Sequence, residues 1–113
     1  MSFMLTCEIG GGALSHLKAL RLRHLEYIAR HRDLILFGGP ARGTDGLPES
    51  MVVVLATDDR AVAESFIAQE PYSASRFVFS SVTIRPWSQV IPEPHPGALD
   101  AEIATERGKS GPK

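Results

Sequence analysis

The sequence contains a single cysteine, Cys7, among its 113 residues, so no disulfide can form within the chain. It also has no excess of basic residues, since 12 lysines and arginines stand against 13 aspartates and glutamates and leave a net charge of −1. That balance argues against a nucleic-acid-binding protein and against a basic surface for membranes. We therefore expect the partners to be small molecules or proteins.

The beginning of the sequence lacks the basic region and the long apolar run of a secretory signal peptide. A lone cysteine gives no sign of the disulfide framework that small secreted proteins use. Hydrophobic residues make up 43% of the chain, which is an ordinary fraction for a globular protein. We expect a cytoplasmic protein with one modest core and no membrane-spanning segment.

Motifs that would indicate a metal or a cofactor are also missing. There is no Cys-x-x-Cys and no His-Glu-x-x-His, and no two histidines stand four residues apart as in a helical metal pair. The run Gly10-Gly11-Gly12 lacks the other elements of a phosphate-binding loop and predicts a flexible turn. A Ser-His-Asp triad built on Ser50 lacks its Gly-x-Ser-x-Gly elbow. We expect no metal site and no cofactor.

Hydrophobic periodicity predicts four strands and two helices. The predicted strands cover residues 3–9, 34–37, 51–55 and 77–84, and the predicted helices cover residues 15–31 and 59–69. Ser15 is expected to cap the first helix, and Thr57 or Asp58 the second. Alternation in the last strand breaks near Ser80 and Ser81, which predicts a β-bulge there.

The order β-α-β-β-α-β indicates an α+β domain with the ferredoxin-like plan. In that plan two helices cover one face of a four-stranded antiparallel sheet and leave the other face open. Successive residues of a strand face opposite sides of the sheet, and the predicted strands carry apolar residues on both sides, as in Val52, Val53 and Val54. The open face is therefore expected to be apolar as well. Since a second copy of the same sheet is the simplest cover for such a face, we expect a homodimer.

The C-terminal segment differs in composition from the rest of the chain. Residues 1–91 form the predicted α+β domain, and residues 92–113 form a tail rich in proline and glycine. Its low core-forming capacity predicts a mobile tail. The alternative is one helical turn over residues 99–103, packed against a neighbouring subunit.

Three charged residues form a candidate acid/base site. Arg21 and His24 lie one turn apart on the first predicted helix, and Glu70 follows the second. An imidazole moves protons near neutral pH while a guanidinium stays charged and binds anions. Each residue also has a structural alternative: a hydrogen-bonded core histidine, an arginine paired with a carboxylate of the same fold, and a helix-end glutamate before Pro71.

Five short motifs together resemble the YCII-related family over residues 3–87. They are Arg21-x-x-His24-Leu25, Gly38-Gly39-Pro40, Gly46 followed by Glu49-Ser50, Glu70-Pro71-Tyr72, and Ile84-Arg85-Pro86-Trp87. The resemblance implies a dimeric α+β barrel with a histidine and an acidic residue as the active-site pair, here His24 and Glu70. The usual acid is aspartate, and the longer Glu70 leaves open a direct contact or one through water. A second arginine that the family often carries falls here on Leu17, and a few relatives are linked to the breakdown of chlorinated aromatic compounds.

Two functions follow as hypotheses. The first is a small cofactor-independent enzyme with lyase or isomerase chemistry on a small organic compound, aromatic compounds included. In it His24 and Glu70 act as the acid/base pair, and Arg21, Ser50 and Tyr72 contact the substrate. The second is a non-catalytic small-molecule-binding or accessory module that uses the same dimer cleft. An enclosed cleft with His24 and Glu70 in hydrogen-bond reach would favour the enzyme.

Overall fold

A computed structural model describes residues 2–109 of the chain. The elements in chain order are β1 (Ser2–Ile9), α1 (Leu14–Arg30), β2 (Ile35–Arg42), β3 (Pro48–Leu55), α2 (Arg60–Gln69), α3 (Pro71–Ala74), β4 (Phe79–Trp87) and α4 (Ala98–Lys109). The predicted β-α-β-β-α-β order is confirmed, with the short α3 inserted before β4 and α4 added after it.

The four strands form one antiparallel sheet in the order β2-β3-β1-β4. The two strands that are farthest apart in sequence, β1 and β4, are therefore neighbours, which is the ferredoxin-like arrangement. The predicted bulge is also confirmed, because Glu8 pairs with Ser81 while Ile9 pairs with Phe79, so Ser80 is an extra residue in β4.

The core lies between the sheet and the two long helices. Alternate residues of β1, Phe3 and Leu5 among them, are buried against α1 and α2. The Tyr27 hydroxyl of α1 donates to the backbone carbonyl oxygen of Phe66 in α2 at 2.7 Å. This bond ties the two helices together on the same face of the sheet.

Both helices begin differently from the sequence expectation. The residue before α1 is Ala13, with no side-chain cap, so the prediction that Ser15 caps this helix is wrong. The glycine turn already places Ser15 inside the helix. At α2 the cap is Asp59, whose carboxylate accepts from the backbone N–H of Ala61 at 2.9 Å. The Thr57 hydroxyl lies before the helix and accepts from the backbone N–H of the capping residue Asp59 at 3.1 Å.

The sheet face opposite the helices has an apolar middle that is partly covered by its own aromatic residues. Phe37 of β2 and Trp87 of β4 come from opposite edges of the sheet, yet their ring centroids are 6.0 Å apart. They meet over the middle of the face, where Val54 is fully buried. Phe37 itself remains 43% exposed. The strand register also places Thr6, Glu8 and Arg85 on this face, so the expectation of an apolar open face holds only around Val54 and not for the face as a whole.

The C-terminal segment contains a helix that is longer than the single turn considered from the sequence. α4 has 12 residues, none of them buried, and the Glu93 carboxylate accepts from the Leu99 N–H at its start at 2.8 Å. The predicted tail ends at residue 113, and its residues 110–113 lie outside the described residues. The domain division at residue 91 stays a prediction. None of the helices within residues 2–109 has both the length and the apolar character of a membrane span.

Candidate functional site

A cavity of about 440 Å³ lies between α1 and the β2–β3 half of the sheet. One wall is the inner face of α1, and the opposite wall is formed by β2 and β3, with the end of α2 between them. Gly38 of β2 approaches β3 closely, because a Cβ there would lie 2.9 Å from the carbonyl oxygen of Val52. The cavity volume falls within the range of small-molecule sites.

His24 and Glu70 contact each other directly at this cavity. The imidazole Nδ1 of His24 lies 2.5 Å from Oε1 of Glu70, and the two residues are only 8% and 3% exposed. The contact joins positions 46 residues apart in the sequence. The longer glutamate side chain therefore reaches the histidine without an intervening water, and the sequence expectation that the two residues lie in hydrogen-bond reach is confirmed.

The position of Glu70 explains why its carboxylate is fixed. Its backbone is extended (φ −66°, ψ 130°), so α2 ends there and Pro71 starts α3. The other carboxylate oxygen, Oε2, caps α3 by accepting from the backbone N–H groups of Tyr72 and Ser73 at 3.1 and 3.2 Å. Three hydrogen-bond contacts thus fix the position of this one buried carboxylate.

Tyr72 packs against the face of the His24 ring. Its ring is stacked on His24 with centroids 4.1 Å apart and planes 12° apart. Its hydroxyl donates to the backbone carbonyl oxygen of Leu17 at 3.3 Å. Burial raises the pKa of the Tyr72 phenol, against a lowering by Arg21 and with a further rise from Glu70. Tyr72 is therefore a neutral hydrogen-bond donor.

The remaining nitrogen of His24 is free of the protein. None of the hydrogen bonds formed within residues 2–109 uses Nε2, whereas Nδ1 is occupied by Glu70. His24 lines the cavity, so Nε2 is the nitrogen that a ligand can reach. A histidine whose Nδ1 is held by a carboxylate and whose Nε2 meets the ligand is suited to proton transfer.

Three cationic side chains line the cavity beside the buried pair. Arg21 is the one that the sequence predicted, and Lys18 and Arg42 were missed. Lys18 lies three residues before Arg21 on the same helix, and this spacing could have predicted that both side chains lie on the same helix face. Arg42 lies at the end of β2, where its Nη1 donates to the carbonyl oxygen of Gly46 at 2.8 Å. Only the strand pairing brings it to this cavity.

Ser50 does not reach the cavity within this chain. It pairs with Glu8 and Ala41, and this register places it on the open face of the sheet. Its neighbour Met51 points to the helices instead and lines the cavity. The structure therefore brings four of the five predicted site residues together, and leaves Ser50 on the opposite side of the sheet.

Cys7 lies in the wall of the cavity as a neutral thiol. It is 1% exposed, and burial raises its pKa to about 12, with smaller contributions from the charges of Glu70 and Glu8. A thiol of such high pKa is a poor nucleophile and a poor metal ligand at neutral pH. Among residues 2–109 no three histidine, cysteine, aspartate or glutamate side chains are grouped so that they could hold a metal ion.

The sequence matches a known family over most of its length. The profile of the YCII-related domain covers residues 1–88, a span that includes every residue of the His24–Glu70–Tyr72 cluster. The chain belongs to the YCII-related domain family. The family resemblance inferred from the five short motifs is thereby confirmed. No curated protein matches the sequence.

Solved structures share the fold of this YCII-related protein. The 5-chloro-2-hydroxyhydroquinone dehydrochlorinase from Burkholderia phenoliruptrix AC1100, in complex with 2,5-dihydroxybenzoquinone, superposes with a TM-score of 0.73 at 19% identity, over 79% of this chain and 95% of its own. A putative antibiotic biosynthesis monooxygenase from Bacteriodes thetaiotaomicron has a TM-score of 0.52 at 15% identity, over 80% and 90% of the two chains. Protein Atu4242 from Agrobacterium tumefaciens has a TM-score of 0.51 at 17% identity, over 83% and 98%. At these identities the comparisons establish the fold.

Proposed function

We propose that this YCII-related protein is a small cofactor-independent enzyme that transfers a proton on a small organic compound. The observation that carries the proposal is the buried His24–Glu70 pair at a cavity large enough for such a compound. In this proposal His24 is the catalytic acid/base, and Glu70 is a positioning residue that acts through it.

The geometry supports a separate role for each residue of the site. His24 takes a proton from the substrate at Nε2, because Nδ1 is held by Glu70. The imidazolium that forms is stabilised by the Glu70 carboxylate, which its two backbone donors keep in place. Arg21 steadies the negative charge that proton removal leaves on the substrate. Tyr72 fixes the plane of the imidazole and forms part of the cavity wall.

Proton transfer of this kind serves both lyases and isomerases. Removing a proton from a hydroxyl or a carbon next to a carbonyl leaves an enolate or a phenolate. That anion either expels a leaving group, as a lyase requires, or takes the proton back from His24 at another atom, as an isomerase requires. The dehydrochlorinase of similar fold, bound to 2,5-dihydroxybenzoquinone, supports testing single-ring hydroxylated compounds first.

The test is turnover with matched variants on a panel of chlorinated and hydroxylated hydroquinones. His24→Asn should lower kcat/KM by about 10²- to 10⁴-fold, since the proton acceptor is lost. Glu70→Gln should leave substrate binding nearly unchanged, lower kcat and shift the pH dependence of kcat, since it alters His24 rather than the substrate. If both variants fold and keep full turnover, the pair is structural. Ligand binding without any turnover would assign the protein to the non-catalytic binding modules.

We also propose that the protein is a two-fold homodimer that joins two open sheet faces. The support is the apolar middle of this face, where Phe37 is 43% exposed and Val52 is half-buried. In such a dimer Ser50, which lies on that face, would contact the partner or a ligand at its edge. Light scattering at micromolar concentration should give twice the chain mass, and Phe37→Asp should shift the protein toward monomer. A single-chain mass at every concentration would rule the dimer out.

The proposed location of the protein is the cytoplasm. The support is Cys7, which is free and buried, as is usual in a reducing compartment. Fractionation of cells that express the tagged protein tests this proposal, and recovery outside the cytoplasmic fraction would contradict it.

A further inference from the structure

Three cationic side chains that form no ion pair within residues 2–109 line the cavity. Lys18 and Arg21 lie one turn apart on α1, and Arg42 faces them from the end of β2. The ion pairs formed within residues 2–109 are His24–Glu70, Arg60–Glu64 and Glu106–Lys109. None of them uses Lys18, Arg21 or Arg42, so the positive charge at the cavity is not neutralised by the described chain.

The single acidic residue that lines the cavity does not balance these cations. Glu70 is 3% exposed, and its two oxygens are occupied by His24 and by the backbone N–H groups of Tyr72 and Ser73. The described cavity wall therefore contains three cations that form no ion pair, and it contains no free carboxylate. All three cations are exposed, so they lie at the solvent side of the cavity, where their excess positive charge attracts anions at low ionic strength.

The rest of the cavity wall is mainly apolar. Leu17, Ile28, Met51, Phe66 and Phe79 are among the residues that line it. A free inorganic anion would leave these surfaces without a partner, whereas a ring or short carbon chain would bury against them. The two parts of the wall together indicate a ligand with an apolar body and an anionic group.

We propose that the cavity binds a small organic anion whose carboxylate or acidic hydroxyl is held between Lys18 and Arg42, with its apolar ring directed toward His24. This inference names the ligand class of the proposed active site and rests on that site taking a small organic compound. Lys18 and Arg42 are then specificity-determining residues, in addition to Arg21.

The position of Arg42 suits this role. Its bond to the carbonyl oxygen of Gly46 ties the guanidinium to the β2–β3 hairpin and limits its rotamers. The remaining donors of the guanidinium can bind two oxygens of a carboxylate together. Lys18 supplies the opposite side from α1, so the anion bridges the helix and the hairpin across the opening of the cavity.

Benzoate and benzamide are the probes, since they share a ring and differ in charge. Titration of isotope-labelled protein, followed by amide NMR shifts of the cavity residues, should show benzoate binding about tenfold more tightly than benzamide at low salt. The preference should shrink as salt is added. Lys18→Gln and Arg42→Gln should each weaken benzoate about threefold to tenfold without affecting benzamide.

Two control variants separate charge at the cavity from other effects. Arg23→Gln removes the same charge from an exposed position on α1 that does not line the cavity, and it should leave benzoate binding unchanged. Arg42→Lys keeps the charge but loses the two-oxygen contact and the bond to Gly46, so its benzoate affinity should fall between those of the unmodified protein and Arg42→Gln. Equal binding of the two probes, no binding of benzoate, shifts confined to other surfaces, or an equal loss in Arg23→Gln would each overturn the proposal.

Binding and turnover are measured separately, so the two proposals fail in different ways. A protein that prefers benzoate but keeps full turnover in His24→Asn retains the anion site and loses the proposed enzyme role. A protein that loses turnover in His24→Asn but binds both probes equally retains the enzyme role and loses the anion site.

Discussion

The ring of Tyr72 lies parallel to the ring of His24, and the hydroxyl of the same tyrosine is anchored to the backbone of Leu17 on α1. Because Leu17 and His24 lie on one helix, Tyr72 bridges two turns of α1 from the short α3. Glu70, which caps α3, meets His24 from the same element. A single helical turn thus supplies both groups that orient the histidine.

Substitutions of Tyr72 should separate its ring from its hydroxyl. Tyr72→Phe keeps the stacked ring and loses one hydrogen bond, so it should cost about 1 kcal/mol in the free energy of unfolding. Tyr72→Ala removes a buried ring and should cost about 3–5 kcal/mol. Urea unfolding measures both. Equal losses in the two variants would show that the hydroxyl, and not the ring, is the main contribution of Tyr72.

The contact between His24 and Glu70 should appear as a coupling energy. Each single truncation, His24→Ala or Glu70→Ala, leaves the other buried polar group without its partner, so the double variant should cost less than the sum of the two. We expect a coupling of about 1–3 kcal/mol from urea unfolding of the four proteins. Arg60 and Glu64, an exposed pair on α2, provide the matched control, with a coupling of about 0.5 kcal/mol or less. Strict additivity at His24 and Glu70 would contradict the direct contact.

Most strands and helices could be predicted from the sequence, because the spacing of apolar residues depends on the local backbone conformation. Alternation in β1 places Phe3 and Leu5 toward the helices, and the break at Ser80 marks the bulge. The helix α4 was underestimated because flanking prolines and glycines dominate the composition of its segment. Its alanines, leucine and glutamates are nevertheless good helix formers.

The candidate site was predictable only in part, because its contacts are distant in sequence. No periodicity connects His24 with Glu70, and the family motifs supplied that pairing. Arg42 could not be assigned without knowing the register of β2 on β3. The same register places Ser50 on the open face and its neighbour Met51 on the helix-covered face, since successive side chains of a strand point to opposite sides of the sheet.

Two adjacent glycines of β2 should respond differently to alanine. At Gly38 a Cβ would lie 2.9 Å from the carbonyl oxygen of Val52 and 3.2 Å from a methyl carbon of Val53, whereas at Gly39 nothing lies within 4 Å. Gly38→Ala should therefore cost about 1–3 kcal/mol in the free energy of unfolding, and Gly39→Ala should be nearly neutral. Thermal unfolding of the two variants provides the comparison. An equal effect at both positions would show that steric contact with β3 is not the cause.

The thiol of Cys7 should be unreactive in the folded protein. Its pKa is raised from 9.0 to about 12 by burial, so iodoacetamide at pH 8 should alkylate it only after unfolding in urea, as followed by mass spectrometry. Rapid alkylation of the folded protein would show that the thiol is accessible.

The same raised pKa predicts how stability depends on pH. Between pH 9.0 and about 12 the unfolded chain loses the Cys7 proton while the folded chain keeps it, so the free energy of unfolding should fall as the pH rises through this window. Below pH 9.0 the thiol should contribute no slope. Tyr27 and Tyr72, whose pKa values burial also raises, add to the fall. Cys7→Ala should reduce the slope in this window, and an unchanged slope would contradict the assignment.

Deletion of the C-terminal segment should have little effect on the stability of the domain. Residues 94–113 include α4, none of whose side chains is buried, so a chain that ends at Glu93 loses little packing. We expect a loss of about 1 kcal/mol or less in the free energy of unfolding and a fall of a few degrees in Tm. Scanning calorimetry measures the shift, and light scattering on the same samples reports the oligomer. A large fall in Tm together with a smaller particle would mean that α4 packs on a second copy of the chain, whereas a large fall without a change of mass would place its contacts within one chain.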